Sequence, residues 1–175
     1  MVLPKLSLVL GGARSGKSAF AERLVLGSRA KPVYLATAQA FDDEMQDRIA
    51  AHKKLREGQG WVTIEETVAL ADEVLQRAAD EVVLLDCATL WLSNVMLAEH
   101  DVAQATARLL DALRQCAARV VVVSNEVGLG IVPDNALARR FRDAQGILNQ
   151  AIAAEAGLVV AVMAGLPLAL KGELP

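Results

Sequence analysis

Six short runs of β-branched and leucine-rich residues punctuate the chain: Leu6–Leu10, Val33–Thr37, Val62–Ile64, Val82–Asp86, Val120–Ser124 and Leu158–Met163. Their apolar positions are mostly continuous rather than alternating, the pattern of strands covered on both faces. Longer segments with helical spacing lie between them: Lys17–Gly27, Asp42–Glu57, Val68–Ala79, Val102–Ala117 and Ala136–Ala156. Regular alternation of strand and helix predicts an α/β fold with a mostly parallel central sheet and helices on both faces. The last segment, AGLPLALK, is expected to turn at Gly165–Pro167 and return as a short antiparallel edge strand. No internal repeat, low-complexity stretch or linker interrupts this pattern, so residues 1–175 are read as a single domain.

Composition narrows the field. With 54% hydrophobic and 22% charged residues, the chain can bury a substantial core. A net charge of −3 and few aromatic residues argue against a nucleic-acid surface, which needs a basic excess and often stacking rings. Cys87 and Cys116 are too few for a disulfide framework or zinc site and are expected in the core, in a reducing, cytoplasmic compartment. No run approaches the roughly 18 apolar residues of a membrane span.

In parallel sheets ligands gather where strands end at their carboxyl side, so the segments after each strand carry the candidate chemistry. After the first comes GGARSGKS, in which Gly11, Gly12, Ala13, Arg14, Ser15, Gly16, Lys17 and Ser18 fit the full G-x-x-x-x-G-K-[ST] pattern between a strand and a helix. Its backbone N–H groups suit an anion, Lys17 suits terminal phosphates, and the Ser18 hydroxyl suits magnesium. A nucleoside triphosphate with Mg²⁺ is therefore the expected ligand. Asp86 ends the fourth strand, where a carboxylate can hold the same metal from its other side. Glu65 and Glu66 follow the third strand and suit the cap of the helix after them.

A phosphate loop defines a ligand class, not a reaction. His52, in AAHKKLREG, follows the second strand on a predicted helix that can overhang the nucleotide. Its cationic neighbours would oppose protonation, leaving a neutral imidazole able to attack phosphorus. Local spacing alone favours a solvated helix face over a catalytic role. Arg139 and Arg142 share a helix face and suit a phosphate, but pairing with Asp143 or Glu155 serves as well, and no role is assigned to them or to Arg140. His100 reads as a solvated loop residue, and Trp61 and Trp91 as packing residues.

Four segments together, GGARSGKS, ATAQAFDDEMQDRIAAHK, DCATLWLSN and SNEVGLGIVPDNALARRFRDAQGILNQ, resemble the bifunctional adenosylcobinamide kinase and adenosylcobinamide-phosphate guanylyltransferase family of cobalamin biosynthesis. The likeness runs from about Leu6 to Lys171. It implies a RecA-like P-loop fold and a homo-oligomer, as a trimer. It implies two reactions: ATP or GTP phosphorylates adenosylcobinamide, and GTP then guanylylates His52, which passes GMP to adenosylcobinamide phosphate.

By the same resemblance, Thr37, Ala38 and Gln39 line the nucleotide, while Lys53, Lys54, Leu55 and Arg56 contact the guanine nucleotide beside His52. Glu65 is a further nucleotide-contacting acid. Asp86 takes the magnesium-side position where some members carry glutamate, so its reach to the metal is shorter. Two other readings use the same loop: a plain small-molecule kinase in which His52 is a surface residue, and a RecA-like ATP-driven assembly subunit.

Overall fold

The computed structural model of the chain describes residues 2–39, 50, 53, 54 and 56–175. Strand β1 (Leu6–Gly11) leads into helix α1 (Lys17–Gly27), then β2 (Lys31–Ala36), β3 (Val62–Glu65), α2 (Leu70–Leu75) and β4 (Glu81–Asp86). The remainder is α3 (Ala88–Leu97), α4 (Val102–Gln115), β5 (Arg119–Asn125), α5 (Ala136–Glu155), β6 (Leu158–Met163) and β7 (Leu166–Lys171). Most of the expected helix Asp42–Glu57 lies outside the described residues, as do His52 and Leu55; within it Ala50, Lys53, Lys54 and Arg56 are helical.

The strands form one sheet in the order β3-β2-β4-β5-β1-β6-β7. All neighbours run parallel except β6 and β7, which pair antiparallel as the turn at Gly165 predicted. Alternation along each strand splits the core in two. Val83 and Leu85 of β4 and Val120 and Val122 of β5 join a cluster under α2, α3, α4 and α5. Val82 and Leu84 of β4 and Val121 and Val123 of β5 face the other way, against Phe20, Ala21, Leu24 and Val25 of α1. Each of these buried valine, leucine and phenylalanine side chains contributes about 1.5–3 kcal/mol of hydrophobic stabilisation.

Two elements depart from the sequence pattern. Helix α3 occupies ATLWLSNVML, a stretch without any charge, and is buried at Ala88, Thr89, Trp91, Leu92, Asn94 and Val95. A helix apolar on nearly every side has no polar face to reveal it. Helix α2 spans Leu70–Leu75 rather than Val68–Ala79. Its start is delayed because the Glu66 carboxylate accepts the Val68 and Ala69 N–H groups at 2.7 and 2.8 Å, and its end is followed by a turn in which Glu81 accepts the Ala78 N–H at 2.8 Å. The longer helices carry the side-chain caps expected at such ends: Asp101 accepts the Gln104 N–H, and Asn135 the Ala138 N–H.

This topology fixes where a ligand goes. From β1 the chain departs through α1 to β2 on one side, whereas β5 returns through α5 to β6 on the other. The carboxyl end of β1 lies where these connections diverge, the position at which open α/β sheets bind ligands.

Candidate active site

Glycine at positions 11 and 16 is demanded by the local backbone. A Cβ at Gly11 would lie 2.6 Å from the Val162 carbonyl oxygen and closer still to the Ser15 hydroxyl, so the loop can fold over the strand end only without a side chain there. Gly16 has φ 92° and immediately precedes α1, a left-handed turn that glycine adopts without strain. The Lys17 ammonium donates to the Gly12 carbonyl at 3.0 Å, closing the loop across its mouth. The loop is braced from outside by two main-chain bonds, Glu126 N–H to Gly11 and Gly165 N–H to the Ser15 carbonyl. The Ser15 hydroxyl is buried and has no hydrogen-bond partner among the described residues.

Lys17 and Ser18 stand in the first turn of α1, half-buried, where the helix end adds positive potential. Asp86 ends β4, and its side chain emerges on the α1 face, continuing the alternation of Val82 and Leu84. Its Oδ2 accepts the Tyr34 hydroxyl at 2.9 Å, while Oδ1 makes no hydrogen bond among the described residues. Burial, then the adjacent Asp86 charge, hold the Tyr34 phenol far above its ordinary pKa, so it stays a proton donor to Asp86.

Thr37 ties two strand ends together. Its hydroxyl donates to the Cys87 carbonyl and accepts the Cys87 N–H, both at 2.8 Å, and its own N–H reaches the Asp86 carbonyl at 3.2 Å. Asn94 of α3 completes the tie by donating to the carbonyls of Thr37 at 2.9 Å and Thr67 at 3.0 Å. The buried Thr37 thus positions the backbone beside Asp86, while Ala38 and Gln39 continue half-buried along the sheet edge. Cys87 is buried and its thiol is pushed up to about 11, by burial first and the Asp86 charge second, which leaves it unreactive near neutrality.

The basic stretch divides. Lys53 and Lys54 are exposed, and Lys53 pairs with Glu65 at the end of β3 at 2.5 Å. Arg56 is instead buried, its guanidinium 3.5 Å from the centroid of the Tyr34 ring and 3.9 Å from the Glu22 carboxylate. Its Nε and Nη1 have no hydrogen-bond partner among the described residues. Glu66, not Glu65, is the helix-capping acid. On α5, Arg139 donates to the carbonyls of Pro133 and Asp134 at 2.9 and 2.8 Å, and Arg142 pairs with Asp143. Glu155 pairs with Arg114 on α4. His100 is exposed, and Trp91 is buried with its N–H on the Val68 carbonyl at 3.0 Å.

Gly11–Ser18, Thr37–Gln39, Glu65 and Asp86 therefore lie along one carboxyl edge of the sheet, on four strand ends, with Lys53 and Arg56 attached to that edge by side-chain contacts. Among the described residues no three His, Cys, Asp or Glu side chains cluster as a metal cage. The donors at hand, the Ser18 hydroxyl and the open Oδ1 of Asp86, are hard oxygens of the kind Mg²⁺ takes when substrate phosphates and water supply its other ligands.

Residues 7–170 match the family described as cobinamide kinase / cobinamide phosphate guanyltransferase. The chain belongs to this family. Its similarity to curated members is nearly full-length. It is 47% identical to the bifunctional adenosylcobalamin biosynthesis protein CobP of Pseudomonas aeruginosa, covering 95% of this chain and 97% of that one. It is 42% identical to CobU of Salmonella typhimurium over 94% and 98% of the two chains, and 40% identical to CobU of Escherichia coli over the same shares. Among solved structures, the fold is shared with the RadB recombinase at TM-score 0.53 and 16% identity, covering 91% of this chain and 74% of that one. A Pyrococcus horikoshii protein matches at TM-score 0.59 and 7% identity over 99% and 89% of the chains. The two structural likenesses show the RecA-like fold alone, whereas the family match shows a bifunctional cobinamide kinase / guanyltransferase.

Sequence reasoning did not single out Tyr34, which looks like one more apolar strand residue until its hydroxyl is seen on Asp86. It also passed over Thr89, Ser124, Gln145 and Asn149, a buried polar set joining α3, β5 and α5. Ser124 breaking the valine run of β5 was the available signal.

Proposed function

We propose that this cobinamide kinase / guanyltransferase carries out both reactions at the one sheet edge, passing GMP through a covalent bond to His52. In the kinase reaction the hydroxyl of adenosylcobinamide attacks the γ-phosphorus of ATP or GTP held by the Gly11–Ser18 loop, and the nucleoside diphosphate leaves. In the guanylyl reaction a His52 nitrogen attacks the α-phosphorus of GTP and pyrophosphate leaves. An oxygen of adenosylcobinamide phosphate then attacks that phosphorus, forming adenosylcobinamide-GDP and releasing the histidine. Two displacements mean that GTP and the bulky corrinoid never need to occupy the site together.

Lys17 neutralises charge on the phosphates, and the backbone N–H groups of the loop orient them. Ser18 and Asp86 are the residues that would hold Mg²⁺, which when bound neutralises phosphate charge. Tyr34 keeps the Asp86 carboxylate in one orientation by its 2.9 Å hydrogen bond. Thr37, Ala38 and Gln39 line the nucleotide, and Lys53, Lys54, Leu55 and Glu65 flank it. Arg56 has the part of an anchor beside them.

The observation that supports the guanylyl half is the tether of the basic helix. Lys53, the residue after His52, is paired with Glu65, and Arg56 lies on the ring whose hydroxyl holds Asp86. The described residues that follow His52 in sequence are thereby fastened at two points, to the end of β3 and to the Tyr34 ring of β2.

Chromatography and mass measurement of the products from adenosylcobinamide, GTP and Mg²⁺ test the proposal. Adenosylcobinamide-GDP and pyrophosphate are expected; phosphorylated corrinoid as the sole product would leave the plain kinase.

The same reading includes a homo-oligomer, a trimer by resemblance, in the cytoplasm. The open edge strand β7 supports association, since Leu166, Leu168 and Leu170 are 72%, 61% and 59% exposed. Sedimentation at the mass of one chain would remove that part. No helix among the described residues is long and apolar enough to cross a membrane.

A further inference from the structure

We infer that Asn125 touches the nucleotide, its carboxamide donating a hydrogen bond to the terminal phosphoryl group of a triphosphate held by the Gly11–Ser18 loop. The inference rests on the nucleotide-binding reading above and assigns a residue to it.

Placement comes first. Strand β5 lies between β1 and β4, with Asn125 opposite Gly11 and Val123 opposite Asp86. Neighbouring strands are about 4.8 Å apart, so the end of β5 fills the space between the phosphate loop and the acid. Val121 and Val123 face α1, and Ser124 faces α5, where it is hydrogen-bonded. Alternation returns the side chain of Asn125 to the α1 face, the face on which Asp86 and the first turn of α1 stand.

The main chain at this residue is held with unusual care. Its N–H donates to the Thr89 hydroxyl at 2.8 Å, and its carbonyl accepts from the Asn149 amide at 3.1 Å. Asn149 is held in turn by the Ser124 hydroxyl at 2.6 Å and by Gln145 at 2.9 Å, and Gln145 also donates to Ser124 at 2.9 Å. Ser124 and Gln145 are fully buried. Burying four polar side chains is costly unless they are bonded to one another, as these are among the described residues except at the Gln145 Oε1, and here they converge on one backbone position at the mouth of the site.

The Asn125 side chain is half-buried and makes no hydrogen bond among the described residues. The neighbouring Glu126 carboxylate is turned back onto the Gly128 N–H at 2.5 Å. A carboxamide offers two N–H donors without charge, so it can bond a phosphoryl oxygen without the repulsion an aspartate would add. In the kinase reaction the acceptor oxygen forms the new bond to the γ-phosphorus. The bond to the β-phosphate oxygen breaks with its electron pair leaving on the diphosphate, and the hydroxyl proton passes to water. Asn125 takes no proton; it steadies the oxygens of the phosphoryl group in flight.

The test is calorimetric titration of GTP and GDP, with Mg²⁺, into the wild-type protein, Asn125→Leu and Asn125→Asp. Both variants keep the main-chain bonds that pin the residue. Losing a hydrogen bond to a charged group should weaken GTP by about tenfold or more in Asn125→Leu, and further in Asn125→Asp, with GDP affinity within about twofold of wild type. Equal weakening of GTP and GDP would mark a structural role, and no weakening of either would mark no role; each overturns the inference. A wild-type protein that binds neither nucleotide would remove the underlying reading, and the inference with it.

Discussion

Lys17→Met should lower both reactions, phosphorylation of adenosylcobinamide and attachment of GMP to the protein, by about 10²–10³-fold, the range for losing one preorganised donor to developing charge. Both fall together because both begin with the same triphosphate in the same loop. In the structure the ammonium closes the loop by reaching the Gly12 carbonyl, so methionine removes the charge and the clasp but leaves the apolar stem on the helix. The α1 residues that pack the core are Phe20, Ala21, Leu24 and Val25, none of which is touched, so the thermal midpoint should stay close to wild type. Rates measured with saturating nucleotide separate the two effects: a loss confined to apparent affinity would mean the lysine only binds, whereas a loss in turnover means it acts on the transition state.

His52→Ala should divide the activities instead. Guanylyl transfer depends on a nucleophile that the variant lacks, and removal of a covalent nucleophile costs at least about 10⁴-fold. The kinase reaction uses no group of His52 and should remain within about threefold of wild type, so phosphorylated corrinoid accumulates. Lys53 stays paired with Glu65, and Arg56 stays over Tyr34, whether or not an imidazole stands between them and Ala50. Equal loss of both activities would show that the histidine holds the site together rather than carrying GMP.

Much of this molecule was written in its apolar pattern. The central strands β1, β4 and β5 carry near-continuous hydrophobic runs, as strands of a parallel sheet buried on both faces require, whereas the edge strand β3 is largely exposed. The phosphate loop was legible because its glycines answer local needs: Gly16 has a positive φ, and Gly11 leaves no room for a Cβ. The edge strand β7 was legible from its turn. Helix α3 was not, because pattern reading depends on contrast between faces and ATLWLSNVML offers none. Of the cations after His52, the sequence could not say which was solvated: Lys54 is exposed, Lys53 is bound at its tip, and Arg56 is buried against an aromatic ring from a strand 22 positions earlier. The Tyr34–Asp86 bond and the set around Asn125 are contacts between elements far apart in sequence, which no local periodicity encodes.

The short side chain of Asp86 has a local context. One carboxylate oxygen is spent on Tyr34 and the other remains open on the α1 face, so the acid is aimed even though it is short. Its backbone is fixed through Thr37 and Asn94, which bind strand end to strand end and to α3. The aiming of Asp86, the acid proposed to face the metal, is thus a property of three elements and not of the residue alone.

Passage of GMP through His52 is read by incubating the protein with Mg²⁺ and GTP labelled at either the α or the γ phosphate, then denaturing it. Label from the α position alone should remain on the protein, stable to alkali, released by acid and absent from His52→Ala. An active preparation that retains no α-label, or retains it unchanged in His52→Ala, would contradict the account.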